Sequence, residues 1–198
     1  MVCFTLLAYV SKMRLMIDLT VEKKIIIAGH VASGKTTALR TLLGEKLLST
    51  DAAYSESRSL ESKRTTTVAM DYGVIRCPKI PVKLHLYAIP GQERFQFMWE
   101  ILGKNADGLI VLIDAARPRP IDTIHLYLDK ILPFLNSTSV VVALNKLDPE
   151  QRASLRLPPY LRHGDLRLRL TTTDVRDAEE VMALLSLLTA EMIEAERR

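Results

Sequence analysis

Gly29-His30-Val31-Ala32-Ser33-Gly34-Lys35-Thr36 satisfies the pattern G-x-x-x-x-G-K-[ST], and its surroundings decide the fold. It follows Ile25-Ile26-Ile27-Ala28, a short β-branched run of the kind that forms a strand buried on both faces. It precedes Lys35 to Leu47, where Leu39, Leu42, Leu43 and Leu47 recur at helical spacing. Two glycines let the backbone wrap so that successive N–H groups point at a phosphate, beside the positive end of the helix dipole. The Lys35 ammonium then sits as a point charge between β- and γ-phosphates, and the Thr36 hydroxyl is placed to ligate Mg²⁺. Gly29, His30, Val31, Ala32, Ser33, Gly34, Lys35, Thr36 and the adjoining Thr37 are therefore the expected phosphate-binding run.

Outward from this loop, apolar runs alternate with helical patterns, the signature of a layered α/β domain. Strands are expected at Val68 to Arg76 and Val82 to Ile89, a short connection making them an antiparallel hairpin. Buried strands are expected at Leu109 to Ile113 and Ser139 to Leu144, with a helix between them over Asp122 to Leu135. Residues 149 to 165 hold Pro149, Pro158 and Pro159 and read as loop with at most a short helix. Leu166 to Leu170 alternates Leu with Asp or Arg, which suits an edge strand, and an amphipathic helix closes the chain from Ala178 to Glu196.

The chain has 198 residues, 48% apolar and 25% charged, which fits one globular domain and excludes collagen-like or wholly disordered classes. A formal net charge of +4 is too small and too scattered to announce a nucleic-acid binder. Cys3 and Cys77 give no disulfide framework, so a cytoplasmic location is expected. Val2 to Val10 is the longest apolar stretch, far short of the roughly 20 residues a membrane span needs, so no stable membrane insertion is expected. Residues 21–198 are the expected nucleotide-binding domain, and residues 1–20 an N-terminal extension that reads as an extra helix, a weak interfacial anchor or leader sequence before Met13 or Met16.

A second motif narrows the ligand. Asn145-Lys146-Leu147-Asp148 directly follows the strand ending at Leu144. A carboxylate at Asp148 accepts from both N1–H and the exocyclic amine of guanine, and adenine offers neither donor in that pattern. GTP and GDP are the expected ligands.

These stretches, together with Thr67 to Gly73 (Thr-Val-x-x-Asp-Tyr-Gly) and Pro90-Gly91-Gln92-Glu93-Arg94-Phe95, make residues 23 to 196 resemble a Ras-superfamily small GTPase. The resemblance is closest to a bacterial branch that includes gliding-motility GTPases of the MglA type and those encoded beside roadblock-domain proteins. It implies a P-loop G domain: a three-layer α/β fold with a six-stranded mixed sheet, one strand antiparallel, flanked by five helices. It implies a slow GTP hydrolase that needs an activator and signals through its switch loops, with a roadblock-domain protein as a partner. The alternative is a GTP-loaded scaffold with negligible hydrolysis.

By the same resemblance, Thr67 senses Mg²⁺ and the γ-phosphate, Gly91 binds the γ-phosphate, and Gln92 orients the attacking water. Asp174, Val175 and Arg176 occupy the place of the last guanine-contacting loop. Ala88 stands where the family carries an Asp that holds a metal-bound water. Asp71 is a candidate substitute, because Thr67, Ala69 and Asp71 share a face of the strand that pairs with the one ending at Ala88, the alternative being a plain surface carboxylate. Val31 replaces a glycine of the family and crowds the usual approach of an external arginine. Arg64 is a candidate internal substitute, the alternative being an ordinary basic residue in a polar loop beside Lys63. His30, His85, His125 and His163 show no metal-ligand spacing and are read as structural.

Overall fold

The computed structural model describes residues 21–49, 70–76, 82–117, 120–134 and 139–197. Eight strands form one sheet: β1 (Val21–Ala28), β2 (Leu48–Ser49), β3 (Asp71–Arg76), β4 (Val82–Ala88), β5 (Gly108–Asp114), β6 (Val140–Asn145), β7 (Tyr160–His163) and β8 (Leu166–Thr172). Five α-helices accompany them: α1 (Lys35–Leu43), α2 (Gln96–Gly103), α3 (Pro120–Ile131), α4 (Pro149–Ser154) and α5 (Ala178–Glu196). The spatial order is β2-β3-β4-β1-β5-β6-β8-β7. From β4 through β8 every neighbouring pair is parallel, and β2·β3, β3·β4 and β7·β8 are antiparallel.

A parallel sheet needs cover on both faces, and the strand sequences encode it. β1 sends Ile25 and Ile27 to one side, where Leu39 and Leu43 of α1 and Leu184, Leu185 and Leu188 of α5 meet them. Ile26 and Ala28 point the other way, against Trp99 of α2 and Ile124, Tyr127 and Leu128 of α3. All residues of β5 and β6 are buried, as continuous apolar runs require. β1 lies between β4 and β5, so the chain leaves it at the point where strand order reverses. A crevice outside the carboxyl ends of the strands follows from that topology.

The sheet carries two more strands than the resemblance implies. One is β2, two residues long, at the β3 edge. The other corrects the reading of residues 149 to 165: Tyr160–His163 is a strand, not loop, and it makes β8 an interior strand instead of an edge. The alternation of β8 explains this. Leu168 and Leu170 enter the core, while Arg167 and Arg169 project over the Tyr160 ring at 3.6 and 4.8 Å. The first helix also ends earlier than its leucine pattern, at Leu43, where a 3₁₀ turn over Gly44–Lys46 takes over. The closing helix, Ala178–Glu196, begins on an Asp177 cap that accepts from the backbone N–H groups of Glu179 and Glu180.

No helix among the described residues is long and apolar enough to cross a membrane. The lone tryptophan of the chain, Trp99, is 1% exposed and donates its indole N–H to the Pro90 carbonyl at 2.9 Å. It thereby fastens α2 to the loop that carries Gly91. Trp99→Phe leaves that carbonyl unpaired and a gap beside Tyr127 and Phe134, at a cost of about 1–3 kcal/mol. Urea unfolding followed by circular dichroism should show the lower midpoint, and an unchanged midpoint would contradict this packing.

Candidate functional site

The loop after β1 has the geometry of an anion cradle. Gly29 has φ 149° and Gly34 φ 107°, the latter as the left-handed cap of α1. A Cβ at Gly34 would meet the Asn145 amide and the Val175 side chain, so glycine is required there for both backbone and space. Ala32, at φ 65°, is one of three described non-glycine residues with positive φ. Lys146 is another, so backbone strain gathers around one cleft. Lys35 donates to the Gly29 and His30 carbonyls, each at 2.8 Å. Burial pushes its ammonium down to about 8, against the opposing pull of the Asp71 charge. A phosphate in the loop would offer this desolvated cation the anionic partner it lacks.

Two further loops, leaving the carboxyl ends of β6 and β8, close the other side. Asn145 is 2% exposed and donates from Nδ2 to the Ser33 carbonyl at 2.9 Å, while its Oδ1 accepts from the Val175 N–H at 3.3 Å. One side chain thus joins all three loops. Between them lies an open cleft of about 740 Å³, lined by Gly34, Lys35 and Thr36 on one wall and by Lys146, Asp148 and Val175 on the other. Ala32, Thr37, Asp174 and Arg176 also line it.

Asp148 caps α4: its Oδ1 accepts from the Gln151 N–H at 2.7 Å, and Gln151 returns a bond to the Asp148 N–H. The carboxylate is exposed at the cleft with Oδ2 left over for a ligand. Asp174 is paired with Arg176, whose guanidinium holds that carboxyl down to about 2. The Asp174 N–H is bound by Glu180, itself in a two-pronged ion pair with Arg152 of α4. Glu180 and Arg152 belong to no recognisable motif, yet they fix the third loop.

At the far end of the phosphate loop, Gly91 approaches so closely that a Cβ on it would collide with Gly29, His30 and Val31 backbone atoms. Gln92 follows, exposed. Asp71 stands directly across from Ala88 in the antiparallel register, is 5% exposed, and accepts from the Thr36 hydroxyl at 2.5 Å through Oδ2. Its Oδ1 is buried with no hydrogen-bond partner among the described residues. A hydroxyl beside an orphaned carboxylate oxygen is a hard-oxygen set, and Mg²⁺ suits it. Among the described residues no group of three or more His, Cys, Asp or Glu side chains gathers to hold a metal.

Thr67 and Arg64 lie outside the described residues. The histidines all have structural partners: His30 packs edge-on against Tyr127, His85 bonds Tyr72 and Glu22, and His125 and His163 stack with their Nδ1 atoms 3.0 Å apart. Sequence spacing does not reveal that last pair, because α3 and β7 come together only in the folded sheet. Tyr127 is likewise unmarked in the sequence, and its buried hydroxyl accepts from the Gly29 N–H at 2.8 Å. Asp114, the last residue of β5, is equally unmarked. Burial alone would raise its carboxyl, but Lys146 at 2.8 Å, the Ala116 N–H and Arg117 hold it below its ordinary value.

Comparison with known proteins agrees with this architecture. The chain is 30% identical over 137 residues to the Ras-related protein Rab-7b of Mus musculus, covering 67% of this chain and 63% of that protein. It is 30% identical over 125 residues to an uncharacterized protein of Methanocaldococcus jannaschii, covering 60% of this chain and 72% of the relative. The G domain of the T. maritima FeoB iron transporter superposes with a TM-score of 0.55 at 19% identity, covering 86% of this chain and 98% of that one. These likenesses support a small-GTPase-like fold and do not single out the MglA-type branch. The family described as "Conserved hypothetical ATP binding protein" matches residues 44–195, well over half the chain and beginning beyond the phosphate loop. The chain belongs to that family and carries it on a G-domain fold.

Proposed function

We propose that the protein binds guanine nucleotides, hydrolyses GTP to GDP, and acts as a nucleotide-dependent regulatory switch. The observation that carries the reading is the single cleft in which the phosphate loop, Asn145-Lys146-Leu147-Asp148 and Asp174 to Arg176 are joined by the Asn145 amide. The family description names ATP, but its match begins at residue 44 and does not include the phosphate loop. The acceptor at the base end is a carboxylate, which pairs with the two donors of guanine and leaves adenine unmatched.

In this reading the loop N–H groups and Lys35 hold the phosphates, and the Gly91 N–H meets the terminal one. Gln92, beside it, orients water for in-line attack, so catalysis is positioning and electrostatics. Thr36 would ligate Mg²⁺, with Asp71 behind it in place of the acid that Ala88 does not supply. The ion supplies charge neutralisation across the β- and γ-phosphates when bound. Movement of the Gly91 segment with nucleotide state would carry the signal to a protein partner in the cytoplasm.

Asp148→Asn tests the base assignment cleanly, because asparagine caps a helix as well as aspartate does. Loss of the charged acceptor should weaken GDP binding by about 3 kcal/mol and admit xanthosine diphosphate, whose C2 carbonyl complements an amide donor. Equal GDP affinity in both proteins, measured by calorimetry, would overturn the guanine reading.

Asp71→Asn and Asp71→Ala should raise the Mg²⁺ concentration needed to retain GTP, with a smaller effect at saturating Mg²⁺. A fluorescent-nucleotide release assay across a Mg²⁺ titration reads this directly. Superimposable titrations would show that Asp71 has no part in holding the ion.

A further inference from the structure

Two groups converge on Val31, one at its backbone nitrogen and one at its carbonyl. Gly91 lies against its backbone nitrogen, and the Arg117 guanidinium donates from Nη2 to its carbonyl at 3.1 Å. Gly29 to Val31 is thus the end of the phosphate loop that faces Gly91, whereas Gly34 to Thr37 lines the base cleft. Arg117 therefore stands at the terminal-phosphate end. Its tether there is weak. The side chain is 48% exposed, the carbonyl it touches is neutral, and its Nε is 4.0 Å from an Asp114 oxygen already engaged by Lys146 at 2.8 Å. Val31 itself is 48% exposed, and on the small-GTPase resemblance its side chain would crowd the entry that an arginine from another protein would use.

We propose that Arg117 is a catalytic arginine supplied by this chain to its own active site, leaving the Val31 carbonyl to contact the terminal phosphate of GTP as charge develops there. The inference rests on the GTP-hydrolysis reading above. A guanidinium prefers an anionic phosphate oxygen to a neutral carbonyl, since charge-assisted bonds are about twice as strong, and its planar fork spans two oxygens at once. In the step it serves, the water oxygen bonds to the terminal phosphorus as the bond to the bridging oxygen breaks. The bridging oxygen leaves on GDP with the electron pair, and both water protons remain on the released dihydrogen phosphate. Arg117 takes no proton; it neutralises charge on the oxygens between leaving group and terminal phosphate. Asp114 is the positioning residue: it pairs Lys146 of the base motif and leans on Arg117, so base engagement and arginine placement share one carboxylate.

The experiment measures single-turnover hydrolysis of preloaded radiolabelled GTP by the full chain, with GDP affinity and aluminium-fluoride-dependent GDP binding measured in parallel. Arg117→Ala should hydrolyse on the order of 10²-fold more slowly or worse and lose the fluoride-dependent tightening, with GDP affinity changed by less than about threefold. Arg117→Lys should restore less than about a tenth of the lost rate, because a point charge cannot replace the fork. A rate equal to wild type in Arg117→Ala overturns the proposal while the hydrolysis reading stands. A parallel loss of GDP affinity and rate overturns it too, making Arg117 a brace for the loop. Loss confined to Arg64→Ala gives the role to Arg64 instead. Wild-type protein that hydrolyses no GTP overturns the underlying reading and this proposal together.

Discussion

The structure depends on the side chain of Asn145. Buried at the end of β6, it spends its donor on the Ser33 carbonyl and its acceptor on the Val175 N–H, so three loops from three strands share one amide. An unpaired amide at that depth would cost a few kcal/mol, which makes the arrangement close to all-or-none. Gly34 has to be glycine because the same amide occupies the space of a Cβ. The cleft therefore exists only when the phosphate loop and the base loops are in register.

Other contacts tune this junction from outside. Tyr127 of α3 reaches the first N–H of the phosphate loop from below the sheet, and Glu180 of α5 holds the Asp174 N–H from the far side. Both helices are cover for a parallel sheet, and their buried polar atoms are spent on loop backbone. Asp71 accepts from the Thr36 hydroxyl at the start of α1, across a strand register that puts Asp71 opposite Ala88.

Much of this was legible in the sequence, for a physical reason. A phosphate loop needs glycine where φ is positive, a lysine at its end and a hydroxyl next to it, so local chemistry writes a local pattern. The Asn145 to Asp148 motif is equally local, and the opposition of Asp71 to Ala88 follows from period-two strand geometry. Long-range partners left no such trace. Tyr127 and Arg117 each stand far along the chain from the loop they touch, as Asp114 does from Lys146 and Glu180 from Arg152, in stretches whose pattern says only helix or strand. The Tyr160–His163 strand was hidden by Pro158 and Pro159 and by having no fully buried residue, and its evidence lies in the Arg167 and Arg169 stacking seen only in the folded hairpin.

The account stands on which base the cleft accepts. Calorimetric titration of the full chain with GDP and with ADP, each in excess Mg²⁺, tests it most directly. A site whose acceptor carboxylate demands two base donors should favour GDP on the order of 10³-fold or more. ADP binding as tightly as GDP would contradict the account and return the site to the adenine nucleotide that the family description names.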